Sequence, residues 1–558
     1  MVSILNILIC ALVALAYWTL LGFFVARRLV ASSLAIPIAP LAGWAIHSAS
    51  AVLVFQVTPF SASAVAAVAA LTMLACGLAT RADKSLSKAP SYPPVPVWAY
   101  LAAAALALVP AAALMPKHLG DAVALSAPIF DHAKVAMIDG IARLGMPPVN
   151  PFFGDESGAG RLVYYYLWHF SAAEIVLLLG VSGWEADIAM TWFAAFSSLS
   201  LMMGMAVRLC GRASAAIWAV VLAASGSVRP WLWWMFGSSL DRVLPSPAGF
   251  EGWLFQSAWV PQHIASAGCA VLALYLISQL VDSKSPLLIG TIGFLVAAGF
   301  ESSTWIGGVA FAISSLALFP VLIALSSTGQ RLQLISGLAF AALFAALLVM
   351  PFLIDQLTAA TQRGDASPIV LHLYEVLGDA IPSNLRRILD VPAFWLILLP
   401  IQLPAVVVTG SITLAGLLLQ SKLDHETRRA VWTIAVGASS CLAVSWLLVS
   451  TFGENDDLGW RAVLPAVMML TIAAAAGLAT WIASGARFAA ACAIGAAALG
   501  WPAAASQIKG NFAGNLRSEG VAFAKEPELW TSVRRHADIH ERVGNNPLAF
   551  KAMTSWPV

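Results

Sequence analysis

Long apolar runs alternate with short polar connections along most of this chain. Runs of about 20 apolar residues recur from end to end, and each is long enough to cross a bilayer as a helix. Backbone hydrogen bonds must be satisfied internally within lipid, and the alternating pattern of a membrane β-barrel is absent. We therefore predict an all-α integral membrane protein with about 14 transmembrane helices. The candidate spans are 3–25, 34–56, 61–80, 96–115, 188–207, 213–226, 256–281, 286–300, 305–326, 333–354, 393–421, 430–451, 461–484 and 488–505.

The composition agrees with this pattern and excludes several classes of protein. The 558 residues are 60% hydrophobic and only 10% charged, whereas a soluble domain is about 25% charged. The net charge of +2 gives no indication of nucleic-acid binding. The six cysteines are scattered without a CxxC pair, and the chain has no Walker motif or Rossmann fingerprint.

The charges in the connections predict the orientation of the chain. Short basic connections belong in the cytoplasm by the positive-inside rule. They hold Arg27, Arg28, Arg81, Lys84, Lys88, Arg208, Arg212, Lys284, Arg331, Lys422, Arg428, Arg429 and Arg487. The long, acidic or aromatic connections then lie outside, at 116–187, 227–255, 301–305, 355–392 and 453–460.

This orientation requires that segment 163–181 does not fully cross the membrane. Its aromatic beginning favours the membrane interface, so we predict a helix that lies at or dips into the outer surface. The alternative, one more ordinary span, would invert everything downstream. We divide the chain into a transmembrane domain, 1–505, with an extracytoplasmic loop at 116–187, and a small soluble extracytoplasmic tail with one helix, 506–558. The protein is placed in the cell (inner or plasma) membrane.

The first long outer loop holds the richest polar sequence. Val135, Ile138, Ile141 and Leu144 fall at helical spacing, which predicts an amphipathic helix on the membrane surface with Asp131 near its start. Pro147 and Pro148 end this helix. A carboxylate held there could take a proton from an acceptor hydroxyl. The alternative is an acid favoured at a helix N-terminus by the dipole.

Further polar groups lie in the other outer connections or at the outer ends of spans. Arg461 is suited to phosphate, because its guanidinium offers a planar bidentate fork. The acids could hold sugar hydroxyls or orient neighbouring groups, and the alternative for each is a solvated or structurally paired side chain. These candidates are Asp241, Gln262, His263, Glu301, Asp457 and Arg461.

In the first loop the sequence resembles the C-type membrane glycosyltransferase superfamily, and within it the "YYY" family of membrane proteins. In that family an acid, a Pro-Pro turn and a tyrosine triplet occur in this order. The matching residues here are Asp131, Pro147, Pro148, Asn150, Pro151, Tyr164, Tyr165 and Tyr166. The match covers about 60 residues, and His132 stands where the family pattern usually has a second acid.

The resemblance implies a transferase that uses a polyprenyl-phosphate-linked sugar donor at the extracytoplasmic face. Asp131 would be the general base, with Asp121 as its rival, and Arg461 with His263 would hold the donor phosphate. The other expected substrate-binding residues are His132, Asn150, Tyr165, Asp241, Gln262, Glu301 and Asp457. The expected partners are the donor, a glycan or lipid acceptor and the bilayer, without nucleic acid. No cofactor is predicted, and a divalent metal remains open.

Two other functions remain open. A transporter or flippase of a lipid-linked glycan predicts charges within spans and repeated halves with broken helices. A non-catalytic scaffold of an envelope-assembly complex predicts that Asp131 is dispensable.

Overall fold

The computed structural model describes residues 2–82, 92–119, 122–124, 131–155, 158–247, 250–362, 367–451 and 457–513. The helices in this part of the chain are α1 Ile4–Leu29, α2 Ser32–Phe55, α3 Ala62–Ala82, α4 Val97–Leu114, α5 Asp131–Leu144, α6 Leu167–Leu179, α7 Gly183–Cys210, α8 Ala215–Ala223, α9 Arg229–Phe236, α10 Ser239–Val243, α11 Trp253–Trp259, α12 Pro261–Gln279, α13 Pro286–Ser302, α14 Phe311–Ala324, α15 Thr328–Gln362, α16 Ser383–Ala393, α17 Leu399–Gln402, α18 Pro404–Leu418, α19 His425–Leu447, α20 Asp457–Ser484 and α21 Arg487–Ala513. Two π-helical segments, Thr304–Ala310 and Phe394–Leu398, precede α14 and α17.

The strands among the described residues form three short antiparallel pairs. They pair β1 Lys117–Leu119 with β2 Ala122–Ala124, β3 Val149–Asp155 with β4 Gly158–Arg161, and β5 Ile369–Leu371 with β6 Leu448–Ser450.

The prediction of an all-α, multi-pass membrane protein is confirmed. Eleven described helices are long and apolar enough to cross a membrane, or up to twelve if one bent pair counts as a span. The predicted span 213–226 is wrong, because α8 has nine residues and reaches only about 14 Å. The segment predicted at 286–300 forms α13, which at 17 residues is also short for a membrane helix.

The predicted span 393–421 is broken in the structure. The segments Ser383–Gln402 and Pro404–Leu418 meet at an angle of 117°. Leu403 between them has φ −138° and ψ 55°, outside the helical region, and Pro404 occupies the first turn of α18. Proline has no amide hydrogen and favours a helix start, so a new helix begins at this point.

The helix predicted at the start of the first loop is present as α5, which begins at Asp131. Its apolar positions Val135, Ile138 and Ile141 are buried, whereas Leu144 is exposed. Since α5 packs against α6, α7 and β3, the apolar stripe faces protein. The prediction that it rests on lipid is wrong for these three positions.

Segment 163–181 forms α6, which is about 20 Å long and therefore shorter than a hydrocarbon core of about 30 Å. Gly180 ends the helix with φ 65°. The residues Leu167–Ile175 are all buried, and α6 packs against α2, α3, α5 and α7. The helix thus lies inside the helix bundle, whereas its position at the outer membrane surface stays a prediction. That it does not cross the membrane stays a prediction.

A buried polar chain ties α6 to α1 and α2. His47 Nε2 lies 3.1 Å from Glu174 Oε1, and His47 Nδ1 lies 3.0 Å from the Tyr17 hydroxyl. That hydroxyl donates its hydrogen to the Ala69 carbonyl at 3.0 Å. His47 Nδ1 must then be the donor to Tyr17, so a single proton lies between His47 Nε2 and Glu174.

Residues predicted to lie on the same side of the membrane meet in the structure. Arg208 pairs with Glu426 at 2.6 Å, and Arg429 pairs with Asp282. At the other end of the bundle, the Ser3 amide donates to Glu185 at 2.8 Å. The two polar ends are therefore distinct. Which of them faces the cytoplasm stays a prediction of the positive-inside rule.

The predicted tail begins within a helix. The helix α21 continues to Ala513, beyond the predicted boundary at 505, and residues 514–558 lie outside the described residues.

Single-cysteine labelling tests the orientation. In a chain without its six native cysteines, Asp379→Cys should react with a membrane-impermeant maleimide in intact cells. Lys422→Cys should react only after permeabilisation. Both positions are exposed, so accessibility depends on the side of the membrane. Labelling of Lys422→Cys in intact cells would show that the predicted orientation is inverted.

Removing one partner of the buried pair should destabilise the bundle strongly. We expect Glu174→Ala to cost about 3–5 kcal/mol, because it leaves His47 with an uncompensated proton or lone pair. The double variant His47→Phe with Glu174→Leu removes both polar groups and should lose much less of the free energy of unfolding. Thermal unfolding in lipid nanodiscs measures both, and equal midpoints for the single and double variants would contradict this view of the pair.

Candidate active site

Arg461 lies in the second turn of α20 and is 4% exposed. Its Nη2 lies 2.9 Å from Asp457 Oδ1, one turn earlier on the helix. Its Nη1 donates to Gln256 Oε1 at 3.2 Å, and its guanidinium carbon lies 4.3 Å from the centroid of the Trp259 ring. Gln256 and Trp259 both belong to α11, so α11 and α20 hold the guanidinium between them.

The first two tyrosines of the triplet lie beside this arginine. The Tyr164 and Tyr165 rings contact each other with centroids 3.9 Å apart and planes tilted by 35°, and the centroid of the Tyr165 ring lies 4.9 Å from that of His263. Gln262 lies within hydrogen-bonding reach of the Tyr164 hydroxyl. Burial raises the pKa of Tyr165 well above its usual value, with Asp457 raising it further and Arg461 opposing this effect. The tyrosines are therefore neutral hydrogen-bonding groups.

Gln262 and His263 reach this place because α12 begins at Pro261, five residues after the start of the predicted span 256–281. Pro261 occupies the first turn, and Val260 before it has φ −138° and ψ 62°. Since proline disfavours a helical residue before it, α11 ends and α12 starts afresh at this point. The first turn of α12 thereby carries Gln262 and His263 into the cluster.

Two further basic side chains join the cluster. His169 on α6 is fully buried, and Lys134 on α5 is 7% exposed. Lys134, His169 and Arg461 are all near enough to His263 for their charges to act on its ring. Arg461 is a permanent cation, and Asp457 is the described carboxylate beside it.

Several buried polar atoms of the cluster make no hydrogen bond to a described residue. They are Nδ1 of His263, Oε1 of Gln262 and Nε of Arg461. An unpaired buried polar group costs about 1–3 kcal/mol, so several at one place indicate a site for a polar ligand. Among these groups, the guanidinium of Arg461 favours an anionic ligand.

Asp131 is the first residue of α5, the helix that carries Lys134. Position 131 is the first of the helix and position 134 lies one turn on, so both are on the same helix face. The side chains of Asp131 and His132 lie outside the described residues, as do Asp121 and residues 453–456.

Glu301 belongs to a neighbouring cluster around the third tyrosine. Glu301 is 2% exposed, and its Oε2 makes no hydrogen bond to a described residue. Burial raises the pKa of Tyr166 well above its usual value, and the carboxyls of Glu301 and Asp355 raise it further. Arg161 pairs with Asp355 on α15. The tyrosine triplet thus lies between the Glu301 cluster and Arg461.

The described contacts of Asp241 and Asn150 do not include Arg461. Asp241 is on α10, where its Oδ1 lies 2.6 Å from Arg229 Nη2 and its side chain is 51% exposed. Asn150 is half-buried on β3. The structure therefore groups Tyr165, Gln262, His263, Asp457 and Arg461, whereas Asp241 has a partner of its own.

Sequence reasoning did not assign Lys134, His169 or Gln256 to the site. Lys134 and His169 stand within the two stretches that carried the resemblance, three residues after Asp131 and three after Tyr166, so helical spacing was the signal that could have found them. Gln256 had no such signal. Across the described residues, no three or more His, Cys, Asp or Glu side chains come together as metal ligands do.

Comparison with known proteins gives three findings. Residues 519–558 match a family model described as the Y4nK C-terminal Rossmann-like domain. The uncharacterized protein y4nK of Sinorhizobium fredii (strain NBRC 101917 / NGR234) is 29% identical over 541 residues, which cover 93% of this chain and 78% of that protein.

Among solved structures, this chain is similar to the archaeal oligosaccharyltransferase AglB from Archaeoglobus fulgidus, in complex with an inhibitory peptide and a dolichol-phosphate. The TM-score is 0.38 at 11% identity, covering 75% of this chain and 56% of AglB. The chain thus spans little more than half of AglB's length, and a likeness of this degree does not bear on activity.

Proposed function

We propose that this chain is a membrane glycosyltransferase that moves a sugar from a polyprenyl-phosphate donor to an acceptor at the extracytoplasmic face. The observation that carries the proposal is the buried cluster of Arg461, Lys134, His169 and His263, in which Nε of Arg461 and Nδ1 of His263 make no hydrogen bond to a described residue. A phosphate that links a sugar to a lipid is an anion and must sit at the boundary between lipid and water.

Arg461 is the proposed phosphate ligand. Its Nε has no described partner and its Nη2 is shared with Asp457, so an incoming phosphate can take over part of the guanidinium. His263 and Lys134 supply further donors. Tyr165 and Gln262 belong to the same cluster and are the proposed contacts of the sugar, and Asp457 is proposed to orient it.

Asp131 is the proposed general base. In the transfer step its carboxylate accepts the proton of an acceptor hydroxyl while the hydroxyl oxygen bonds to the anomeric carbon. The bond between that carbon and the phosphate oxygen breaks, and the polyprenyl phosphate leaves with its charge held by Arg461. Inversion at the anomeric carbon is an expectation taken from the resemblance.

A transporter of a lipid-linked glycan is the second candidate. The 117° break before α18 and the buried Glu174–His47 pair favour it, because broken helices and ionisable groups within the membrane mark transport pathways. A transporter does not need a general base.

Asp131→Asn separates the two candidates. We expect it to lower sugar transfer or release at least a hundredfold, in line with the loss of a general base. Donor binding should remain, because the phosphate ligands are intact. The assay uses protein in nanodiscs with a panel of radiolabelled polyprenyl-phosphate sugars, and Asp121→Asn is the matched control. Full activity of Asp131→Asn, or retained glycan translocation by it, contradicts the proposal.

Two changes at Arg461 and its partner should move phosphate affinity in opposite directions. Arg461→Gln should weaken the binding of undecaprenyl phosphate at least tenfold, since charge-assisted hydrogen bonds contribute about 1.5–3 kcal/mol. Asp457→Asn should tighten it, because the carboxylate no longer competes for the guanidinium. Equilibrium binding in nanodiscs measures both, with Arg386→Gln on α16 as control. If all three variants bind like the unaltered protein, Arg461 is not the phosphate ligand.

A further inference from the structure

A cavity of about 590 Å³ lies beside the candidate active site. It is bordered by α11, by the connection from α8 to α9, by α17 and by the last turns of α21. Its volume falls within the range of about 300–1,000 Å³ that is usual for small-molecule sites. The mechanism above makes no use of it.

The lining of this cavity combines aromatic rings with uncharged hydrogen-bonding groups and one acid. Trp233 and Trp259 supply the rings, Gln402 and Gln507 supply amides, and Ser246 supplies a hydroxyl. Glu251 is the acid. A lipid chain would not need this many polar groups, whereas a ligand rich in hydroxyls would use them.

Glu251 makes no hydrogen bond or ion pair with another described residue, and burial raises its pKa to about 7. Arg229 borders the same cavity but is engaged elsewhere. Its Nη2 lies 2.6 Å from Asp241 and 2.7 Å from the Leu244 carbonyl, and its Nη1 donates to the Pro245 carbonyl at 3.2 Å. Among the described lining residues there is therefore no uncommitted cation for a phosphate, whereas the carboxyl group of Glu251 can bind a hydroxyl.

The cavity and the candidate active site share α11. Trp259 borders the cavity and also contacts Arg461. Gln256, on the same helix, accepts the hydrogen bond from Arg461. A ligand that fills the cavity from Glu251 to Trp259 spans about 10 Å along α11 and ends beside the arginine.

We infer that this cavity binds the carbohydrate part of the acceptor, with Glu251 and the glutamine amides holding sugar hydroxyls and Trp233 stacking on a sugar ring. The inference rests on the proposed transferase function and names the substrate class of its second subsite. The donor phosphate lies on the Arg461 side of α11 and the acceptor glycan in the cavity.

The test is glycan binding without any donor. Full-length protein in fluorescent nanodiscs is applied to an array of bacterial glycans, and no sugar-based detergent is present. We expect the unaltered protein to bind at least one glycan, and Trp233→Ala and Glu251→Gln each to weaken that binding at least tenfold. Trp234→Ala is the matched control, because Trp234 is on the same helix, is 78% exposed and does not border the cavity. Gln402→Ala provides a third cavity variant, and thermal unfolding verifies that each variant is folded.

Three results would overturn the inference. In the first, the unaltered protein binds no glycan. In the second, the folded cavity variants bind the glycan as tightly as the unaltered protein does. In the third, undecaprenyl phosphate displaces the bound glycan, which would place the sugar in the donor site. Since the array contains no donor, its failure leaves the Arg461 and Asp131 experiments unaffected. The two proposals can thus fail separately.

Discussion

A polar side chain buried in this bundle must find its partner within the protein, because lipid supplies none. Several buried polar groups meet that demand at least in part. Glu174 Oε1 is paired with His47, which also contacts the Tyr17 hydroxyl, and Arg208 is paired with Glu426 and Thr427. Buried polar atoms without a described partner occur at other places too, such as Glu174 Oε2, and several of them lie around Arg461. Their concentration where α5, α6, α12 and α20 meet is the reason to treat this place as a site for a ligand.

The parts of the fold that depend on local sequence signals could be predicted. Apolar runs of membrane length predicted most of the long helices, and periodic apolar positions predicted α5 with its start at Asp131. Two connections assigned to one side by charge do meet, since Arg208 pairs with Glu426, which lies between Lys422 and Arg428. Each of these signals lies within a few helical turns of chain, so it can be recognised in a single sequence.

The features that escaped prediction depend on contacts between distant segments. The burial of α6 within the bundle follows from α2, α3, α5 and α7 closing around it, which no local pattern shows. The same limit applies to the site. Gln256 is paired with Arg461 across 205 positions of sequence, and Asp241 is drawn away by Arg229. An acid in an outer loop looks the same in sequence whether it faces a chamber or a neighbouring arginine.

The break between α11 and α12 connects the two subsites. If the helix ran straight through Val260, Gln256 and Trp259 would continue the axis of α12. The break instead allows α11 to take its own direction, and its last turn then lies against Arg461. Gly252, just before α11, leaves room for Leu403, since a Cβ there would meet that side chain at 3.2 Å. Leu403 is itself the point where α17 and α18 separate. Two helix breaks, each followed by a proline, therefore shape the wall between the proposed donor and acceptor sites.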